Sequence, residues 1–211
     1  MQTISGTGAV HLAFLLIAEN LSPRPRVYVG VPAWGNYSPM CKLAGLDVVE
    51  YRHFDASARS VDMPSILKAV QGAPKGSVFV IQACCHNPTG ADLSNEQWHE
   101  LAIALKDRDH LPLLDIAYQG LGNGLDEDAY GVRLLARMGM PMLICQSFSK
   151  NFALYGERCG ALHALCGDSK TTANVFDRLR CLIRWEFSSA PAYGCRLVDL
   201  VTRSNQLSQN W

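Results

Sequence analysis

Short apolar runs rich in β-branched residues recur along this chain with helix-length stretches between them, and no other feature restricts its fold so tightly. The runs are Val27–Val31, Leu46–Tyr51, Ser77–Ile81, Leu111–Ile116 and Met142–Cys145, with Ala161–Ala164 a weaker example. They read as strands covered on both sides. Between them Tyr37–Ala44, Met63–Val70, Ser94–Asp107 and Glu127–Met138 suit helices, and Gly8–Leu21 is an earlier one that opens after a Ser-Gly-Thr-Gly turn. Ser94 with Gln97 three residues on has the form of a capping box. Alternation of strand and helix implies a three-layer α/β/α domain around a mostly parallel sheet. Ligands of such a sheet belong at the loops leaving the carboxyl ends of its strands. From Ser169 to Trp211 the pattern is helical, and neither a repeat nor an interdomain linker interrupts the chain.

A length of 211 residues with 48% apolar content supports a single domain with a real core. Basic and acidic residues balance at 19 each, so no basic field invites nucleic acid or an anionic membrane. A small molecule or another protein is the expected partner. The eight cysteines lie mostly in apolar contexts and never take zinc spacing, so they read as buried free thiols in a reducing compartment, with no metal expected. No run reaches membrane-spanning length and the first residues lack a signal-peptide pattern. The cytosol is the expected location, a processed organellar form being the alternative.

Four tracts carry residues able to do chemistry, and all stand beside a predicted strand or helix. Gln146–Arg158 follows a strand and contains Ser147, Ser149, Lys150 and Arg158. A lysine at a strand exit can attack a carbonyl, while hydroxyls and an arginine suit a phosphate; taken alone, a lysine among serines is far more often a solvated loop residue than a Schiff-base lysine. Cys85-His86-Asn87-Pro88-Thr89-Gly90 is a turn that either aims the Asn87 amide at a ligand or is simply a turn. In Leu113–Gly120 an acid, Asp115, ends an apolar strand. Burying an unpaired carboxylate is costly, so Asp115 either meets a cation, for which a protonated ring nitrogen would serve, or caps the following turn. Ser5-Gly6-Thr7-Gly8-Ala9 ahead of a helix offers N–H groups, hydroxyls and a helix dipole to an anion. It lacks both the G-x-G-x-x-G spacing and a P-loop lysine, which argues against nucleotide phosphates.

Taken together and in this order, SGTGA, VPAWGNY, CCHNPTG, DIAYQG and SFSKNFALYGER resemble the aspartate aminotransferase family, pyridoxal-phosphate (PLP) enzymes of fold type I. The likeness runs from Met1 to Trp211. It implies that Lys150 carries PLP as a Schiff base and later shuttles a proton, and that Asp115 keeps the pyridine nitrogen protonated so that the ring can accept electrons. By the same likeness Tyr118 and Asn87 hydrogen-bond the phenolic oxygen, and Trp34 stacks on the ring. Ser5, Gly6, Thr7, Ser147 and Arg158 hold the phosphate. Lys150, Asp115 and Tyr118 would be the catalytic groups, with Trp34 and Asn87 also facing the substrate. Arg184 and Ser188 match positions that reach the neighbouring subunit's site and grip the distal carboxylate of aspartate or glutamate. A homodimer with shared sites, exchanging an amino group between an amino acid, expected to be dicarboxylic, and a 2-oxo acid, is what the family implies.

The chain also departs from the family pattern. Tyr37 and Gln82 stand where the family usually has histidine behind the pyridine-binding aspartate, so the tuning of Asp115 is expected to differ. Around Arg184 the sequence Arg184-Trp185-Glu186-Phe187-Ser188 is unusual, with Glu186 a potential competitor for the arginine. Residues 1–211 match only the family's large domain; its N-terminal arm, its C-terminal small domain and the arginine that binds the α-carboxylate are expected to be missing. Little turnover by the chain alone is therefore expected. Two further readings follow from these departures: a truncated PLP-binding or partner-binding protein, and a different PLP reaction in a specialised pathway.

Overall fold

The computed structural model describes all 211 residues. Nine strands and eight helices follow one another as β1 (Gln2–Ile4), α1 (Ser5–Asn20), β2 (Val27–Val31), α2 (Tyr37–Leu43), β3 (Val48–Arg52), β4 (Phe54–Asp55), β5 (Ser60–Val61), α3 (Met63–Gly72), β6 (Val78–Gln82), α4 (Asn95–Asp107), β7 (Leu111–Ile116), α5 (Tyr130–Arg137), β8 (Met142–Ser147), β9 (Cys159–Leu165), α6 (Ser169–Glu186), α7 (Ala192–Arg203) and α8 (Asn205–Asn210). Seven strands form one sheet in the order β1-β9-β8-β7-β6-β2-β3. The five from β8 to β3 are parallel, and at the other edge β9 runs antiparallel to both its neighbours, β8 and β1. The expected three-layer α/β/α architecture is thus present, and its sheet is mostly parallel. No helix is long and apolar enough to cross a membrane.

Alternate residues of the central strands enter two cores. Val27, Val29, Val78, Val80, Leu113 and Leu143 pack with α1, α2 and α6, whereas Tyr28, Phe79, Ile81, Leu114, Ile116 and Ile144 pack with α3, α4 and α5. Both faces being covered explains why these strands read as unbroken apolar runs. The apolar side of α3, α4 and α5 faces one core, and the predicted capping box is formed, with Ser94 accepting from the Gln97 N–H and Gln97 reaching back. The helical pattern from Ser169 to Trp211 is present as three helices, separated where Phe187–Pro191 breaks the helical path and again at Ser204. All eight cysteines are free, as expected, but only Cys41, Cys84, Cys145 and Cys159 are buried; the other four are partly exposed.

The chain passes from β2 through α2 to the edge strand β3, then returns across β2 to β6. Since α2 packs on one face and the helix after β6 on the other, the loops leaving β2 and β6 diverge and open a crevice at the carboxyl end of the sheet. Two local devices fix its rim. Beyond β6, Asp92 accepts from the N–H groups of Cys85 and His86 at 2.7 and 2.8 Å, and His86 stacks on His53 with ring centroids 4.2 Å apart. At the other side Gly160 of β9 lies between β1 and β8, where a Cβ would come within 2.4 Å of the Ser5 carbonyl carbon and 2.7 Å of the Gln146 oxygen.

Two outcomes follow from these devices. Gly160→Ala forces backbone apart on both sides, and it is expected to cost about 1–3 kcal/mol in a thermal or denaturant melt. Burial and the neighbouring His53 push His86 down to about 4. An unfolded histidine, titrating near 6.5, therefore takes up a proton before the folded one does, so His86 contributes stability at neutral pH that is lost as pH falls from about 6.5 toward 4. His86→Phe keeps the stacking partner without the titration, and its melting temperature should fall less between pH 7 and pH 5 than that of the unmodified protein.

Candidate active site

One cavity at the carboxyl end of the sheet is lined by Ser5, Gly6, Thr7, Trp34, Gln82, Asn87, Asp115, Ala117, Tyr118, Ser147, Ser149, Lys150, Tyr155 and Arg158. Every residue assigned to the cofactor is among them. They arrive from the N-terminus of α1 and from the loops after β2, β6, β7 and β8, so five separate chain segments converge.

The end nearest α1 is built for an anion. The Ser-Gly-Thr-Gly tract is not a loop before the helix, as the sequence suggested, but its first turn, with Ser5 starting α1. The free N–H groups of that turn and the helix dipole therefore face the cavity directly. Ser5 has φ +60°, an uncommon backbone for serine, stabilised by its N–H donating to the Arg158 carbonyl at 2.8 Å. Its hydroxyl lies 3.2 Å from the Ser147 hydroxyl and 2.8 Å from that of Ser149. Arg158 donates to the Tyr155 carbonyl at 2.9 Å and to the Ser149 hydroxyl at 3.4 Å, which holds its guanidinium over the same hydroxyls. A Cβ on Gly6 would lie 2.8 Å from the Ser147 Cβ, so only glycine lets the helix terminus approach this closely. Three buried hydroxyls, a fixed guanidinium and open backbone N–H groups fit a phosphate.

The opposite end is anionic. Asp115 sits at the end of β7, buried, with its carboxylate accepting one side-chain hydrogen bond, from the Tyr37 hydroxyl at 2.5 Å. Burial raises its pKa to about 6, against the lowering influence of Tyr37 and of the Lys150 charge. The carboxylate thus lacks a cation in contact, and a protonated ring nitrogen would supply one. It does not cap the following turn; that task falls to Asp128, which accepts from the N–H groups of Gly120, Gly122 and Asn123 at 2.8, 3.0 and 2.8 Å. Asp128 also lies close to Cys84 and Cys85, but those three backbone donors already engage its oxygens.

Between the two ends stands Lys150, its Nζ 5.1 Å from the centroid of Tyr118 and 5.5 Å from that of Tyr155. The aromatic walls leave the amine facing the cavity. The pKa of Tyr118 is raised, first by burial and then by Asp115, with the Asn87 side chain acting in the opposite sense. Asn87 is itself clamped: its N–H donates to Gln82 Oε1 at 2.8 Å, and Gln82 Nε2 donates to its carbonyl at 2.9 Å. Trp34 forms a wall of the cavity and meets Tyr37 edge to face, with centroids 5.2 Å apart.

Arg184 and Ser188 do not join this group. They hydrogen-bond each other beside the C-terminal end of α6, in a separate surface depression that also includes Met1 and Arg180. Glu186, read from sequence as a competitor for Arg184, turns instead to His11, with Nδ1 and Oε2 3.6 Å apart. Four lining residues have no individual ligand role assigned from the sequence: Gln82, Ala117, Ser149 and Tyr155. Ser149 could have been found from the Ser147-x-Ser149 spacing, and Gln82 from the strand that points it at the Asn87 turn; nothing local marks Tyr155.

Comparison with known proteins identifies the family. Residues 1–209 match the family model described as aminotransferase class I and II. The chain is 56% identical over 202 residues to the aminotransferase tasG of Hapsidospora irregularis, covering 95% of this chain and 62% of that protein. It is 39% identical over 212 residues to the cytoplasmic aspartate aminotransferase of Dictyostelium discoideum, covering all of this chain and 48% of the other. Among solved structures, the aromatic-amino-acid aminotransferase of Burkholderia pseudomallei, covalently bound to pyridoxal phosphate, superimposes with a TM-score of 0.97 at 37% identity, covering 100% of this chain and 53% of that one. The chain thus spans between about half and three-fifths of the length of these relatives. With its doubly covered parallel sheet, its lysine between an anion cradle and a buried carboxylate, and a match along nearly its whole length, this chain belongs to the class I and II aminotransferase family.

Proposed function

We propose that residues 1–211 are the PLP-binding large domain of an aminotransferase that moves an amino group between a dicarboxylic amino acid and a 2-oxo acid. The observation that carries this reading is the convergence of Lys150, Asp115 and the hydroxyl and arginine cradle on one cavity. Bound there, PLP supplies an electron-withdrawing ring that weakens the Cα–H bond of an attached amino acid.

The protein's own groups divide the remaining work. Ser5, Ser147 and Ser149 with Arg158 and the N-terminal turn of α1 would hold the phosphate. The Lys150 amine would hold the aldehyde carbon covalently and, once released, take and return a proton at Nζ. Asp115 would keep a proton on the ring nitrogen, a contact that returns the carboxylate to its ordinary acidity by giving the buried charge a partner. Tyr118 and Asn87 would donate to the phenolic oxygen. Trp34 would cover one ring face and exclude water.

The dicarboxylate preference rests on Arg184. Its guanidinium bonds only the Ser188 hydroxyl, and none of the chain's carboxylates lies within ion-pair distance of it. With Glu186 drawn away to His11, the arginine keeps free donors for a substrate carboxylate. Its distance from the cavity fits a site completed by a second copy, as a homodimer would provide.

Three measurements test these roles. Reconstituted with PLP, the protein should be labelled on Lys150 by borohydride, and Lys150→Ala should abolish the label; labelling elsewhere would refute the assignment. Asp115→Ala should retain PLP through its phosphate yet slow single-turnover formation of pyridoxamine phosphate by orders of magnitude in any active form. In a full-length dimer, Arg184→Leu should lower kcat/KM for aspartate at least about 100-fold while sparing an aromatic substrate, since a buried charge-paired hydrogen bond is worth about 3 kcal/mol.

A further inference from the structure

We propose that Tyr37 is the positioning residue for Asp115, its hydroxyl holding one carboxylate oxygen so that the other faces the ligand cavity. This inference rests on the reading of Asp115 as the partner of the cofactor's ring nitrogen, and it assigns the group that makes that carboxylate usable.

The geometry is specific. The Tyr37 hydroxyl donates to Asp115 Oδ2 at 2.5 Å, and it is the only side chain or backbone group of the protein that hydrogen-bonds this carboxylate. Tyr37 is itself 1% exposed, in the core formed by α1 and α2, with Trp34 against its ring. A hydroxyl so enclosed has no water to turn to, so it remains on Asp115. The bond therefore fixes the rotation of the carboxylate as well as its charge.

Tyrosine also differs from an ionisable donor in what it leaves out. The groups facing Asp115 are Tyr37 from α2, Cys145 from β8, Tyr118 after β7 and Lys150 after β8. Burial and the Asp115 charge push Tyr37 and Cys145 well up, and Tyr118 is raised as well, so all three stay neutral through the physiological range. Gln82, paired with Asp115 across β6 and β7, is uncharged and committed to Asn87. Hence the donor that orients Asp115 keeps its proton at every pH at which the carboxylate itself changes state.

The test uses the cofactor-free protein labelled with carboxyl-¹³C aspartate. The Asp115 resonance should titrate near 6 in the unmodified protein. In Tyr37→Phe the midpoint should rise by about one unit or more, the shift expected when a buried carboxylate loses its only charge-stabilising donor. An unchanged midpoint overturns the proposal. Should Tyr37→Phe fail to fold, 3-fluorotyrosine placed at position 37 keeps the shape and strengthens the donor; the midpoint should then fall, and a fixed midpoint again overturns it. Borohydride labelling of Lys150 is scored separately. Loss of that label in the unmodified protein counts against the proposed function, whereas the Asp115 midpoint alone decides the role of Tyr37.

Discussion

Because the chain returns from β3 to β6 across β2, the loops leaving β2 and β6 part toward opposite faces of the sheet, and the crevice between them must be closed by side chains. Everything chemical in the molecule depends on that divergence. Asp115 can be both buried and accessible to a ligand only because β7, covered on both faces, ends at this crevice. Tyr37 reaches it from the first turn of α2 on one side, and the Asn87 turn approaches from the other, locked to Gln82 at the end of β6. Had β3 connected to a strand on its own outer edge, these loops would run the same way and the carboxylate would end beneath backbone.

How far the sequence reveals this differs between the elements. Strands β2 and β7 are legible to the residue, since burial on both faces demands unbroken apolar runs. The edge strand β1, three residues long and paired only with β9, has no pattern of its own to read. The short β4–β5 hairpin is likewise invisible, being two residues on each side. Helix α1 starts three residues before Gly8, where glycine and serine, poor helix formers, give no sign of it; the positive φ of Ser5 and the close approach of Gly6 to Ser147 are imposed by tertiary contact.

The site shows the same division. Lys150, Asp115, Asn87 and the Ser-Gly-Thr turn were legible as motifs because each lies within a few residues of a strand or helix end, where chain direction limits where a side chain can go. Their assembly was legible only through family likeness, since residues far apart along the chain carry no spacing signal. Tyr37 was noticed as a departure, but its hydrogen bond to Asp115 joins positions 78 residues apart and can be read only in three dimensions. Arg184 is the opposite case: its sequence position suggested a substrate contact, while within one chain it faces a different depression.

The two ends of the cavity together restrict what can enter and in which direction. Near α1 the N-terminal turn, Arg158 and three hydroxyls that can turn to donate present a positive potential, so an anion gains most there. At Asp115 the demand is reversed, because a carboxylate with a single donor rejects anions and gains most from a proton-bearing nitrogen. A ligand with a phosphate at one end and a basic ring nitrogen at the other therefore fits in one orientation, and that orientation brings its middle past Lys150, between Tyr118 and Tyr155. Reversing it would set phosphate against carboxylate in a partly dehydrated cavity, where like charges repel by several kcal/mol. Under the proposed function, the polarity of the pocket, fixed by which strand carries each group, would thus bring the reacting carbon of such a ligand to the lysine before any contact with the substrate is made.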